Sequence, residues 1–114
     1  MSLRDPRVAL EQMKSHAEEA IALLKGRTQR SLRGNRTRCL AVLRLLEIVG
    51  EAANRVPIDE RERYTAVPWS QIIALRNRLI HAYDQVDLEI IWSVVNQDLP
   101  PLVRSLDEIL RGTS

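Results

Sequence analysis

Residues 39–53, CLAVLRLLEIVGEAA, are apolar around most of a helical circumference, and this run constrains the fold more than any other. Only a helix enclosed by neighbouring elements tolerates such a surface. Its one polar stripe is narrow: Arg44, Glu47, Glu51 and Asn54 fall within about 80° of one another at 100° per residue. Asn35 stands where an N-cap belongs, so the helix is expected over Arg36–Arg55, with Pro57 ending it. Four Gly and five Pro in 114 residues leave few turns, which favours long helices over a many-stranded sheet.

The flanking sequence supplies the helices that would enclose this one. Asp5-Pro6 reads as an N-cap followed by proline at the first helical position. Leu10, Met13, Ala17, Ala20 and Leu24 then alternate steps of three and four, predicting a first helix that runs to about Lys25. A basic loop over 25–38 follows, with Gly26 and Gly34 as breakers. Asp59 is expected to cap a short turn through ERERY. The stretch VPWSQIIALRNRLIHAY predicts a third helix starting near Pro68-Trp69, with Trp69 as a packing residue at its start. Asp87 caps a final helix in which Leu88, Trp92, Val95, Leu99, Leu102, Leu106 and Ile109 form one stripe. That phase survives Pro100-Pro101, so a kink is expected there and not a break. The chain contains no Phe and only 4% aromatic residues, so Leu, Ile, Val and Ala must fill the core. The expectation is a single all-α domain over residues 1–114, an antiparallel bundle of four to five helices with a kinked C-terminal helix.

A net charge of +2 says little about partners. Its distribution says more: residues 25–38, KGRTQRSLRGNRTR, hold Lys25, Arg27, Arg30, Arg33, Arg36 and Arg38 and no acid. Two readings are open, a solvated basic loop and a surface that attracts phosphates without choosing a sequence. Cys39, the one cysteine, lies in an apolar helical run and reads as a buried, inert thiol in a reducing compartment. No run approaches the roughly 18 apolar residues of a membrane span, and no charged leader precedes an apolar segment, so a cytoplasmic protein is expected. The two His and one Cys show no HxxxH or CxxC spacing, so no metal site or cofactor is expected.

The segment RNRLIHAYD, residues 76–84, carries the chemistry. With Arg76 at 0° on a helical wheel, Ile72, Ile73, Leu75, Leu79 and Ile80 spread between about −100° and +60°, and Tyr83 falls near −20°. Arg76 and Tyr83 therefore sit among the apolar positions, while Asn77 and His81 share the polar edge. An arginine is almost never buried alone, because an unpaired charge stripped of water costs several kcal/mol. Either Arg76 pairs with a carboxylate, for which Glu47 and Glu51 are the candidates, or its face is not simply core. His exchanges protons near neutral pH, the guanidinium fork matches a phosphate, and Asn orients either group. Together they suit metal-free RNA cleavage, in which His moves a proton at the 2′-oxygen or the leaving oxygen and Arg stabilises the pentacoordinate phosphate. On one regular helix Arg76 and His81 diverge by about 140°. They converge if the helix is distorted near its end, or if a second copy of the motif contributes across a twofold axis.

RNRLIHAYD, preceded by VPW and followed by VDLEIIW and DLPPL, resembles the HepT-like branch of the HEPN superfamily. EIVGEAANRV is similar to that family's IGEA segment, and the likeness runs from about Cys39 to Leu110. The resemblance implies an all-α homodimer with two motifs facing each other at the interface. It implies the toxin half of a type II toxin–antitoxin pair, acting as a metal-independent endoribonuclease on RNA. Arg76 and His81 match the family's catalytic pair, Asn77 the polar residue beside that arginine, and Tyr83 the last position of R-x4-H-x-Y. In some members this tyrosine is AMPylated by a cognate minimal nucleotidyltransferase (MNT-type) antitoxin; the added charge and bulk would exclude RNA phosphates. The alternative is a non-catalytic HEPN protein that serves as binding partner of such a nucleotidyltransferase.

Overall fold

The computed structural model describes residues 5–80 and 88–112. Asp5 accepts a hydrogen bond from the Arg7 amide at 3.0 Å and starts α1, Pro6–Leu24. Gly26, at φ 74°, makes the left-handed turn that ends it. Asn35 caps α3, Arg36–Arg55, by accepting from the Arg38 amide at 2.9 Å. The extended Val56 and then Pro57 stop α3 as expected.

Two segments predicted as loop or turn are helical. Within the expected basic loop lies α2, Gln29–Arg33, closed by a reciprocal cap in which the Ser31 amide donates to Thr28 Oγ1 and the Thr28 amide to Ser31 Oγ, each at 3.0 Å. Charge pattern alone hid this cap, because a serine took the position where a glutamate usually signals it. The ERERY turn is α4, Ile58–Arg63, whose first turn follows Pro57 with no side-chain cap from Asp59. Arg61 orders it instead, donating from Nε to Val56 O at 2.8 Å and from Nη2 to Asn54 O at 2.9 Å. A cation is thereby held on the open carbonyls at the end of α3, the favourable end of the helix dipole.

The remaining elements are α5, Trp69–Ile80, α6, Leu88–Ser93, a π-helical turn, Val94–Asp98, and α7, Leu99–Leu110. The irregularity predicted at Pro100-Pro101 lies one turn earlier. The Leu99 amide reaches back five residues to Val94 O, so the ladder is already widened ahead of the prolines. Pro100 and Pro101 cannot donate, and in a regular helix their rings would meet the carbonyls of Asn96 and Gln97. The extra residue in the wide turn also shifts the buried face. Ile91, Val94 and Val95 are buried before it and Leu99, Leu102 and Leu106 after it, while Leu88, Trp92 and Ile109 only flank the core.

The result is the expected all-α bundle, with no strand among the described residues. α3 lies between α1 and α5, and α1 lies between α3 and α7. Gln12 on α1 meets Arg55 at the end of α3 at 2.8 Å, so these two helices run antiparallel. Arg7 donates to Leu110 O at 3.2 Å and Lys14 pairs with Asp107 at 3.2 Å, which sets α7 antiparallel to α1. Small buried residues, Ala17 and Ala20 on α1 and Gly50, Ala52 and Ala53 on α3, permit a close approach of the two central helices. No described helix is long and apolar enough to cross a membrane.

Leu46 is fully buried at the middle of α3. Leu46→Ala is expected to lower unfolding stability by about 2–5 kcal/mol in urea titrations, whereas Val8→Ala on the exposed side of α1 changes it by about 0.5 kcal/mol at most. Cys39 is buried, as predicted, and burial pushes its thiol above the ordinary 9.0 against the opposing pull of the Arg36 charge. The unfolded chain therefore releases this proton first, so its contribution to stability is complete below pH 9 and is lost as the pH rises above it. The urea midpoint should fall between pH 8 and 10 more steeply in the wild type than in Cys39→Ala; parallel slopes would refute this.

Candidate functional site

α5 is seated by its first turn. Trp69 Nε1 donates to Tyr64 O at 3.0 Å, the Trp69 amide to Val67 O at 2.9 Å, and Val67 is buried. Trp69 thus packs at the helix start, as predicted, with its ring against the core. Further along, Ile72, Leu75 and Leu79 are buried, Ile73 is half-buried, and Asn77 and Arg78 are exposed. On the wheel that sets position 76 at zero, the three buried residues centre near about −65° and Asn77 lies near +100°. Asn77 therefore lies on the side of α5 opposite these buried residues. Arg76 is carried on α5 three residues after Ile73; His81, Tyr83 and the rest of the expected third helix lie outside the described residues, as does Asp87.

Glu47 and Glu51 sit on α3, which packs directly on α5. Their side chains are only 18% and 28% exposed, and one guanidinium serves both: Arg44 Nη1 lies 3.2 Å from Glu51 Oε2 and 3.7 Å from Glu47 Oε1. The narrow polar stripe read from the sequence therefore closes on itself. Its fourth member, Asn54, takes the Arg61 guanidinium on its backbone oxygen. Two carboxylates hold more acceptor positions than one arginine fills, so the stripe keeps capacity for a second cation. The acidic stripe and the Asn77 edge thus belong to adjacent helices, an arrangement that sequence spacing suggested and packing provides.

On the other flank of α5, the helix, the π turn and α7 surround a cavity of about 330 Å³. Its floor is apolar, with Val49, Ile72, Leu75 and Leu102, and Arg78 and Asp98 stand on its rim. Of the α5 residues that line it, Ile72 and Leu75 lie opposite the Asn77 edge by the same wheel, while Arg78 belongs to the motif segment itself. No sequence signal announced this cavity, because it arises where three elements meet around a turn of unexpected width. Among the described residues no group of three or more His, Cys, Asp or Glu is gathered as a metal site.

Residues 13–109 match the Ribonuclease HepT-like family, and the chain belongs to it. It is 34% identical over 107 residues to "Putative RNase MJ1380" of Methanocaldococcus jannaschii, covering 94% of this chain and 98% of that one. It is also 34% identical over 109 residues to "Putative RNase TTE0752" of Caldanaerobacter subterraneus, covering 96% and 97%. "Probable ribonuclease HepT" of Thermococcus cleftensis is 38% identical over 69 residues, 60% of this chain and 63% of that one. No solved structure matches the chain.

Asn77 is exposed and makes no contact on which the core depends, so Asn77→Ala should leave unfolding stability within about 0.5 kcal/mol of wild type by thermal melt. A larger loss would make Asn77 a packing residue and remove it from the site.

Proposed function

We propose that this chain is a metal-independent endoribonuclease, the toxin of a type II toxin–antitoxin pair, and that it works in the cytoplasm as a homodimer. The observation that carries the reading is the arrangement on α5. One side of the helix is locked into the core by Ile72, Leu75 and Leu79, while Asn77 stands exposed on another. Membership of the Ribonuclease HepT-like family and the names of the relatives support the same activity.

In this reading His81 takes the proton from the RNA 2′-hydroxyl or returns one to the leaving 5′-oxygen. Arg76 holds the two non-bridging oxygens as negative charge grows on the phosphorus. Asn77 orients the phosphate or the imidazole. The attacking oxygen belongs to the substrate, so DNA is inert. Glu47 and Glu51 support the site from α3 by fixing cations beside it. The divergence of about 140° between Arg76 and His81 on one helix favours a cleft built from two subunits. A cognate nucleotidyltransferase silences the toxin by AMPylating Tyr83, which fills the cleft with a phosphate of the same charge as the substrate.

Purified protein should cleave single-stranded RNA in EDTA, and His81→Ala and Arg76→Ala should each lower the rate at least about 100-fold. Equal cleavage by wild type and His81→Ala would expose a contaminating nuclease and end the enzyme reading. Mixing the two inactive variants should restore activity if Arg76 of one subunit serves His81 of the other; mixtures that stay inactive would rule out the shared cleft.

A further inference from the structure

The fold treats its cations in two ways. Among the described residues outside 25–38, five cations are ion-paired, in Arg7–Glu11, Lys14–Asp107, Arg44–Glu51, Arg63–Glu60 and Arg111–Asp107, and Arg55 and Arg61 donate to neutral acceptors. Inside that stretch Lys25, Arg27, Arg30, Arg33 and Arg36 are all exposed, and none has a side-chain hydrogen bond or ion pair to a described residue. The sixth, Arg38, keeps its Nε out of solvent with no partner. Fourteen residues thus carry +6, while the other hundred carry −4, a polarity that the net charge of +2 conceals.

Holding these charges together works against the fold. Neighbouring cations within about 8 Å repel with little screening at physiological salt. Arg36 and Arg38 also occupy the first turn of α3, the positive end of its dipole, where no acid offsets them. Yet the segment is not left loose. The Thr28–Ser31 reciprocal cap closes α2, and the fully buried Leu32 pins it, so that Arg30 and Arg33 share one face at helical spacing. α2 rests on α3 and on α6, and α6 starts at Leu88, five residues after Tyr83 in the chain.

We infer that α2 and the adjoining ends of α1 and α3 form a phosphate-tracking surface for single-stranded RNA. This rests on the ribonuclease reading for the identity of the polyanion. Five of the six cations are arginines, whose planar forks match phosphate oxygens in pairs. The surface supplies affinity and salt dependence and no choice of sequence. It engages the strand beyond the scissile phosphate, so it acts on KM and leaves the chemical step alone.

The test uses a 2′-O-methyl oligonucleotide, which has the phosphates of RNA and lacks the attacking hydroxyl, in anisotropy titrations from 50 to 200 mM salt. Each phosphate contact contributes about 0.7 to the slope of log Kobs against log salt for a single strand, so Arg27→Ala/Arg30→Ala/Arg33→Ala should flatten it by about 2. The same variant should raise KM for cleavable RNA about tenfold at 150 mM salt and keep kcat within about twofold. A triple variant of paired cations, Arg7→Ala/Arg63→Ala/Arg111→Ala, removes equal charge and should leave the slope unchanged; an equal fall there would mean a net-charge effect and overturn the surface. So would an unchanged slope in the first variant, and so would a variant that loses only its hold on the nucleotidyltransferase, which would make the patch a protein-docking face. Wild type that binds with the steep slope but never cleaves keeps this surface and defeats the nuclease reading. Cleavage with an unaltered KM in the first variant does the reverse. Far-UV circular dichroism and the melting temperature confirm that each variant is folded.

Discussion

Everything else in this molecule answers to the burial of α3. A helix with apolar side chains around most of its circumference has no stable surface of its own, so it needs α1 against one side and α5 against another. Each neighbour then brings its own constraint. α1 must be covered in turn by α7, and α5 is left with one face in the core and the other free. The free face is the one that carries Asn77. The exposed Asn77 edge is thus a consequence of how a central helix is enclosed.

Polar groups obey the same economy. A stripe on α3 that stays out of the core holds Arg44, Glu47 and Glu51, and Arg44 bridges its two carboxylates within the helix. Arg61 closes the open carbonyls at the end of α3, and Arg7 does the same for α7. Surface ion pairs of this kind stabilise little individually. Their value here is positional, since among the described residues they join five of the cations elsewhere to carboxylates and leave one basic segment without them. Proteins seldom assemble like charges on a braced element unless an opposite charge arrives from outside.

The resemblance of RNRLIHAYD and its flanks to HepT-like proteins agrees with the family match over residues 13–109. The helices with strong three-four periodicity were legible from the residues: all five members of the α1 stripe are buried, and both Asp5 and Asn35 cap where they were expected to. Legibility failed where the signal was local and weak. The Thr28–Ser31 cap and the Arg61 clamp are single hydrogen-bonded devices that no periodicity announces. Of the candidate site, the sequence placed Asn77 on a polar edge, and the structure describes it as exposed on α5. It could not say that Ile73 would be half exposed.

The chain by itself determined which residues must be enclosed, because apolar period and the scarcity of glycine and proline leave helices as the sole way to bury them. It also determined that six cations stand together without an acid. Only the tertiary structure decided where the C-terminal helix yields, since a proline pair constrains its neighbours but does not choose between a kink and a wider turn upstream. Only tertiary packing, too, set α2 upon α6. Those outcomes depend on contacts between residues far apart in the chain, and one-dimensional spacing carries no record of them.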